Sequence, residues 1–211
     1  MLNSLQTIES VSKGRTVAIL RGDYGAMAEE IVASMFEVGV TAVEVTFNSP
    51  DVLNTIRRLS SRFGGRMAIG AGTILDPAEV EAAAEAGARF VVSPNLSKDV
   101  IRVTKLLGLV SLPGCFTPTE IVMANEAGAD AVKLFPALTL GVGFVKALRG
   151  PLPDIRLVPT GGVTPDLARQ FFEAGAWAVG AGSELVNKDV FAPGGLDRLR
   201  DRARAFIEAA R

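Results

Sequence analysis

The chain has 211 residues, 22 Lys and Arg against 23 Asp and Glu, a formal charge of −1, 48% hydrophobic residues and no histidine. The near-balance of charge, without any basic block, argues against a nucleic-acid partner, and Gly or a charged residue interrupts each apolar run before it could span a bilayer. Without histidine, Ser-His-Asp hydrolysis and His-ligated zinc are excluded, and the single Cys115 excludes an intrachain disulfide, so proton transfer falls to carboxylates, lysine, Tyr24, the thiol or water.

The N-terminal MLNSLQTIES lacks the basic start and continuous apolar stretch of a secretory signal, which gives the expectation of a cytoplasmic protein. A short helix is predicted over residues 3–12. Eight β-branched runs follow: TVAIL from Thr16, AVEVTF from Ala42, MAIGAG from Met67, RFVVS from Arg89, LVSLP from Leu109, DAVKLF from Asp130, IRLVPT from Ile155 and WAVGAG from Trp177. Each precedes an Ala- and charge-rich segment at helical spacing, the pattern of parallel strands joined by crossover helices.

Helix starts are marked by a capping residue beside proline at Ser49-Pro50-Asp51, Asp76-Pro77, Thr117-Pro118 and Thr164-Pro165. Helix ends are marked by Gly39, Gly87, Gly128 and Gly175, placed where a left-handed C-terminal residue is wanted. FAPGG from Phe191 reads as a loop before the last helix, and no linker divides the chain. Eight units predict an α/β (β/α)8 TIM barrel with a short N-terminal helix, one domain over 1–211; an open doubly wound sheet is the alternative.

Barrel enzymes carry their chemistry at the C-terminal ends of strands. In A-V-K-L-F the period of two puts Ala131, Lys133 and Phe135 on one face, so the ammonium is expected to point into the barrel, where burial lowers its pKa and frees an amine suited to imine formation. In A-V-E-V-T the same alternation turns Glu44 inward, as a general acid/base or as the ion-pair partner of Lys133. Arg21 ends the first strand and offers a fork for a carboxylate. The glycine turns after strands seven and eight, Pro159-Thr160-Gly161-Gly162 and Gly180-Ala181-Gly182-Ser183, are placed to bind phosphate through backbone N–H groups. Gly70-Ala71-Gly72-Thr73 is read as allowing close approach of substrate to the backbone, with Pro94 and Pro113 shaping the rim.

Taken in order, A-I-L-R-G, V-E-V-T-F-N-S-P, G-A-G-T-I-L, V-V-S-P-N, P-G-C-F-T-P-T-E, V-K-L-F-P-A, P-T-G-G-V and G-S-E-L resemble the 2-keto-3-deoxy-6-phosphogluconate / 4-hydroxy-2-oxoglutarate aldolase family over nearly the whole chain. The resemblance implies a class I, metal-free aldolase without a cofactor, usually a homotrimer, acting on a small phosphorylated keto-deoxy sugar acid. It implies Lys133 as the imine lysine and Glu44 as general acid/base, with Arg21, Thr73, Pro94 and Phe135 around the pyruvate portion. It also implies Thr160, Gly161, Gly162, Gly182 and Ser183 around the phosphate.

One departure bears on substrate. Phosphogluconate-type members commonly have Arg-Thr where this chain has Asn48-Ser49, and Asn-Ser-Pro there, with Pro94-Asn95 and Pro113-Gly114-Cys115, looks more like the phosphogalactonate type. Phe135-Pro136-Ala137 and Pro159-Thr160-Gly161-Gly162 look more like the phosphogluconate type. The galactonate epimer is the expected substrate, with Asn48 as selector, and the gluconate or hydroxy-oxoglutarate activity is the alternative. A phosphosugar isomerase or synthase, and a non-catalytic ligand sensor in which Lys133 merely pairs with Glu44, are the competing readings.

Overall fold

A computed structural model describes residues 2–211. Helix α1 (Ser4–Gly14) is followed by β1 (Thr16–Leu20), α2 (Ala28–Glu37), β2 (Ala42–Thr46), α3 (Val52–Phe63), β3 (Ala68–Gly72), α4 (Pro77–Glu85), β4 (Phe90–Val92) and α5 (Lys98–Leu106). The second half runs β5 (Val110–Leu112), β6 (Gly114–Cys115), α6 (Pro118–Glu126), β7 (Val132–Leu134), α7 (Ala137–Leu148), β8 (Leu157–Pro159), α8 (Pro165–Glu173), β9 (Val179–Ala181) and α9 (Gly195–Ala209).

The strands form an α/β fold with a curled, wholly parallel sheet in two parts, ordered β5-β4-β3-β2-β1-β9 and β6-β7-β8. The fifth expected run ends at Pro113, which has no N–H to give to a ladder, and a further short strand that was not expected, β6, follows it directly. Its carbonyl still accepts from Lys133 N–H at 2.9 Å, and Asp130 N–H reaches Ser111 O at 3.0 Å. On the other side, Thr160 bridges Gly180 in parallel and Trp177 N–H donates to Leu157 O at 2.9 Å.

Local chemistry accounts for the element ends. Asp76 and Thr117 each cap their helix and receive a glutamate three residues on in a reciprocal capping box. Gly39, Gly87, Gly128 and Gly175 adopt φ of 105°, 103°, 95° and 97°, the left-handed conformation expected of them at helix ends. Ser49 departs from expectation: the N-cap of α3 is Asp51, with no side-chain capping bond, and the Ser49 hydroxyl faces β1.

Two apolar layers result. The helices pack on the outer face of the sheet through residues such as Ile31, Ile56, Leu59, Phe171 and Phe206. A smaller inner cluster joins Val17, Ala42, Ala68, Phe90, Val110, Ala131 and Val158 to Val11 and Ile8 of α1, which closes the lower end of the strands. Phe90 fills the interior only because Gly70 opposes it, since a Cβ at 70 would lie 2.5 Å from the ring. Burying such a ring contributes about 2–3 kcal/mol. Among the described residues, no helix is long and apolar enough to cross a membrane.

Candidate active site

At the C-terminal ends of β1, β7, β8 and β9 lies an open cleft of about 230 Å³. It brings together eight of the residues singled out from sequence on four strands or the turns after them, Arg21, Lys133, Phe135, Thr160, Gly161, Gly162, Gly182 and Ser183. Ile19, Glu184 and Val186 complete the lining, and none of these three was picked out beforehand. Ile19 was recoverable from the alternation that leads to Arg21, and Glu184 from its place beside Ser183 in the glycine turn.

Lys133 is 4% exposed, inward-facing on β7, with Nζ 5.0 Å from the centre of the Phe135 ring. Burial pushes its pKa below the ordinary lysine range; the carboxylate of Glu44 opposes that shift and the Arg21 guanidinium adds to it. Glu44 is 1% exposed on β2, and burial pushes its pKa up, against the pull of Lys133 and Arg21. No hydrogen bond or ion pair joins the two among the described residues, and Glu44 Oε1 has no hydrogen-bond partner. They sense each other's charge without contact. A satisfied salt bridge would instead be short and would hold the lysine protonated.

Glu44 does not line the open cleft. It lies in a smaller chamber of about 10 Å³ beneath it, bounded by Val17, Val92, Leu112, Val158 and Gly180. Ile19, Lys133 and Thr160 line both spaces, so Lys133 stands between the carboxyl and the mouth. The carboxyl fits because β3 offers no methyl: a Cβ on Gly72 would lie 2.6 Å from Glu44 Oε1. The G-A-G run of β3, expected to let substrate approach the backbone, therefore makes room for two protein side chains, Phe90 at Gly70 and Glu44 at Gly72.

Thr160 N–H donates to Leu134 O at 2.9 Å and its hydroxyl to Val158 O at 3.1 Å, which fixes the last turn of β8. Beyond it, Gly161 and Gly162 take φ of 100° and 70°, and their N–H groups, like those of Gly182 and Ser183, donate to no backbone group among the described residues. Left-handed glycines followed by free amides make a nest for an anion. Arg21, at the opposite edge, is exposed and makes no hydrogen bond or ion pair of its own among the described residues, so its five donors are available.

Besides Glu44, three further site residues singled out from sequence stand off from the cleft. Thr73 follows β3 with φ 61°, Pro94 packs its backbone against Gly114 after β4, and Asn48 is exposed in the turn after β2. The left-handed conformation of Thr73 is costly for a β-branched residue, on the order of 1–3 kcal/mol, and such strain gathers at functional positions. Cys115 takes no part: burial, with Glu120 nearby, pushes its thiol up to about 12.

Residues 7–201 match the family described as "Aldolase: KDPG and KHG aldolase". The 2-dehydro-3-deoxy-6-phosphogalactonate aldolase of Escherichia coli strain K12 is 39% identical over 196 residues, 92% of this chain and 94% of that protein. The KHG/KDPG aldolase of the same strain is 31% identical over 186 residues, 88% and 85% of the two chains. A solved structure described as native KDPGal superposes with a TM-score of 0.86 at 38% identity, covering 92% of this chain and 93% of that one. With the match running through nearly every element that frames Lys133, the chain belongs to the KDPG and KHG aldolase family.

Proposed function

We propose that the chain is a class I aldolase that cleaves 2-dehydro-3-deoxy-6-phosphogalactonate to pyruvate and glyceraldehyde 3-phosphate, with Lys133 as the imine-forming lysine. The observation that carries this reading is a buried lysine with lowered pKa that has a carboxyl beneath it and no ion-pair contact with it. Such an amine is nucleophilic without a neighbouring base.

Lys133 Nζ attacks the C2 ketone of the substrate, and Glu44, whose pKa burial raises, serves as the acid whose proton lets the carbinolamine hydroxyl leave as water. The cationic imine then accepts the electron pair of the C3–C4 bond. Glu44, now a carboxylate, takes the C4 hydroxyl proton directly or through one water, glyceraldehyde 3-phosphate departs, and an enamine of pyruvate remains. Proton return to C3 and hydrolysis release pyruvate and restore the amine. The imine supplies the electron sink, so the route calls for no metal or other cofactor.

Arg21 holds the substrate carboxylate, with Phe135 against the pyruvate carbons; Thr73 and Pro94, which do not line the open cleft, are assigned to the pyruvate portion by the family resemblance alone. The amides of Gly161, Gly162, Gly182 and Ser183 receive the phosphate, next to Thr160. Asn48 in the β2–α3 turn selects the C4 configuration. The Thr160–Gly180 bridge and the Lys133–Pro113 bond support reading β5 with β6 as one strand and the two sheets as a closed (β/α)8 barrel, a single domain over 1–211. A cytoplasmic homotrimer in carbohydrate metabolism completes the reading.

Borohydride added with pyruvate should place a pyruvyl adduct on Lys133 and abolish turnover. An active preparation without that adduct would sink the imine route. Turnover of the galactonate epimer is expected to exceed that of the gluconate epimer, and the reverse order would reassign the substrate while leaving Lys133 in place.

A further inference from the structure

β1 leaves the sheet at Leu20, whose partner across the ladder is Val45. The next residue carries Arg21 into the cleft, and the chain then turns at Gly22 with φ +128°, a region open to glycine. No strand holds this stretch. Two buried hydroxyls of the β2–α3 corner hold it instead. Gly22 N–H donates to Ser49 Oγ at 3.0 Å, Ser49 Oγ lies 3.0 Å from Thr46 Oγ, and the Thr46 hydroxyl reaches Leu20 O at 3.4 Å.

The order of donors follows from the two ends. Thr46 gives its proton to the Leu20 carbonyl, so Ser49 gives its own to Thr46, and the Ser49 oxygen accepts from Gly22. The chain of bonds begins and ends on the two peptide groups that flank Arg21. Ser49 is 7% exposed and Thr46 wholly buried, so water does not compete for these bonds. The corner itself is closed by Ser49 N–H on Thr46 O at 2.9 Å, with Asn48 at its exposed tip. Helix capping does not account for Ser49, because the N-cap of α3 is Asp51.

We propose that Ser49 is a positioning residue for Arg21: through Thr46 it fixes both peptides beside the arginine and so aims a guanidinium that has no hydrogen-bond or ion-pair partner among the described residues. The proposal rests on the reading of Arg21 as the group that holds the substrate carboxylate. Loss of the Ser49 hydroxyl removes two hydrogen bonds from the clamp, those to Gly22 and Thr46, and leaves the Gly22 amide unheld, so the effect falls on binding of the carboxylate rather than on the imine chemistry of Lys133.

The test compares Ser49→Ala, Ser49→Thr, Thr46→Val and Arg21→Met by kcat, KM and the pyruvate concentration that gives half-maximal borohydride trapping at Lys133. Ser49→Ala should raise KM and the trapping concentration about five- to tenfold, with a much smaller change in kcat. Ser49→Thr should restore both, and Thr46→Val should move them the same way by less. Adding Ser49→Ala to Arg21→Met should change neither further, since the clamp then has nothing to aim. Additive effects of the two substitutions, equal loss of kcat and KM performance, or failure of threonine to rescue would overturn the clamp. If Arg21→Met alone leaves KM and trapping unchanged, the carboxylate role of Arg21 falls and the clamp falls with it. Thermal unfolding of the same proteins separates either result from a general loss of structure.

Discussion

The inward faces of the strands differ sharply between their two ends. Toward the lower end Val17, Ala42, Ala68, Phe90, Val110, Ala131 and Val158 pack against α1 with no charged group among them. Further along β2 and β7, the same alternation puts Glu44 and Lys133 inward. The period of two is kept throughout, and only the chemistry of the inward residue changes. One end contributes stability through apolar burial, and the other holds two ionisable groups at a cost in stability. Stability and reactivity are therefore separable along single strands.

The largest expected effect on stability is at the lower end. Phe90→Ala should lower it by about 3–5 kcal/mol, read from denaturant unfolding, because the ring's space beside Gly70 cannot collapse fully. Pyruvate trapping at Lys133 should survive in the folded fraction. If trapping were lost while unfolding stayed unchanged, the separation of the two ends would break.

At the upper end, replacing both ionisable groups should work in the opposite sense. Glu44→Gln combined with Lys133→Met is expected to raise stability by about 1–4 kcal/mol while abolishing turnover. Lys133 has a lowered folded pKa, so its favourable contribution exists above the ordinary lysine range and is lost as pH falls through the folded value. Glu44 has a raised folded pKa, so its contribution exists below the ordinary carboxylate range and is lost as pH rises through the folded value. Both costs are present near neutral pH, where the gain of the double variant should be greatest. A gain that did not shrink toward either extreme of pH would assign it to packing instead.

The smallest effect is electrostatic. Arg21 is one of the causes that lower the Lys133 pKa, so Arg21→Met should raise it and move the acid limb of kcat/KM to higher pH. With no histidine in the chain and Cys115 pushed up to about 12, few other groups blur that limb. A limb that moved to lower pH would show that Arg21 acts on Lys133 by something other than its charge.

Much of this was legible in the chain. Glu44 and Lys133 follow from alternation, Arg21 from its place at the end of the first strand, and the glycine turns after β8 and β9 from their composition, because each is a local signal. What escaped were relations between strands. Nothing near Gly72 in sequence shows that its missing Cβ faces Glu44, and nothing near Ser49 distinguishes a helix cap from a bond to Gly22. The end of the fifth run at Pro113 was visible as a proline, yet the short strand that follows it, β6, depended on neighbours on both sides. The placement of Glu44 beneath the cleft rather than on it likewise depends on how deep Lys133 reaches from the facing strand.

Gly72 carries a lesson for anyone transplanting this lysine and carboxyl to another parallel sheet. Copying the lysine and the glutamate would not copy the site, because the carboxyl occupies a vacancy left by a neighbouring strand. A host with alanine there would push the acid off its seat by the bulk of one methyl group. The blueprint of such a site includes the atoms that have to be missing.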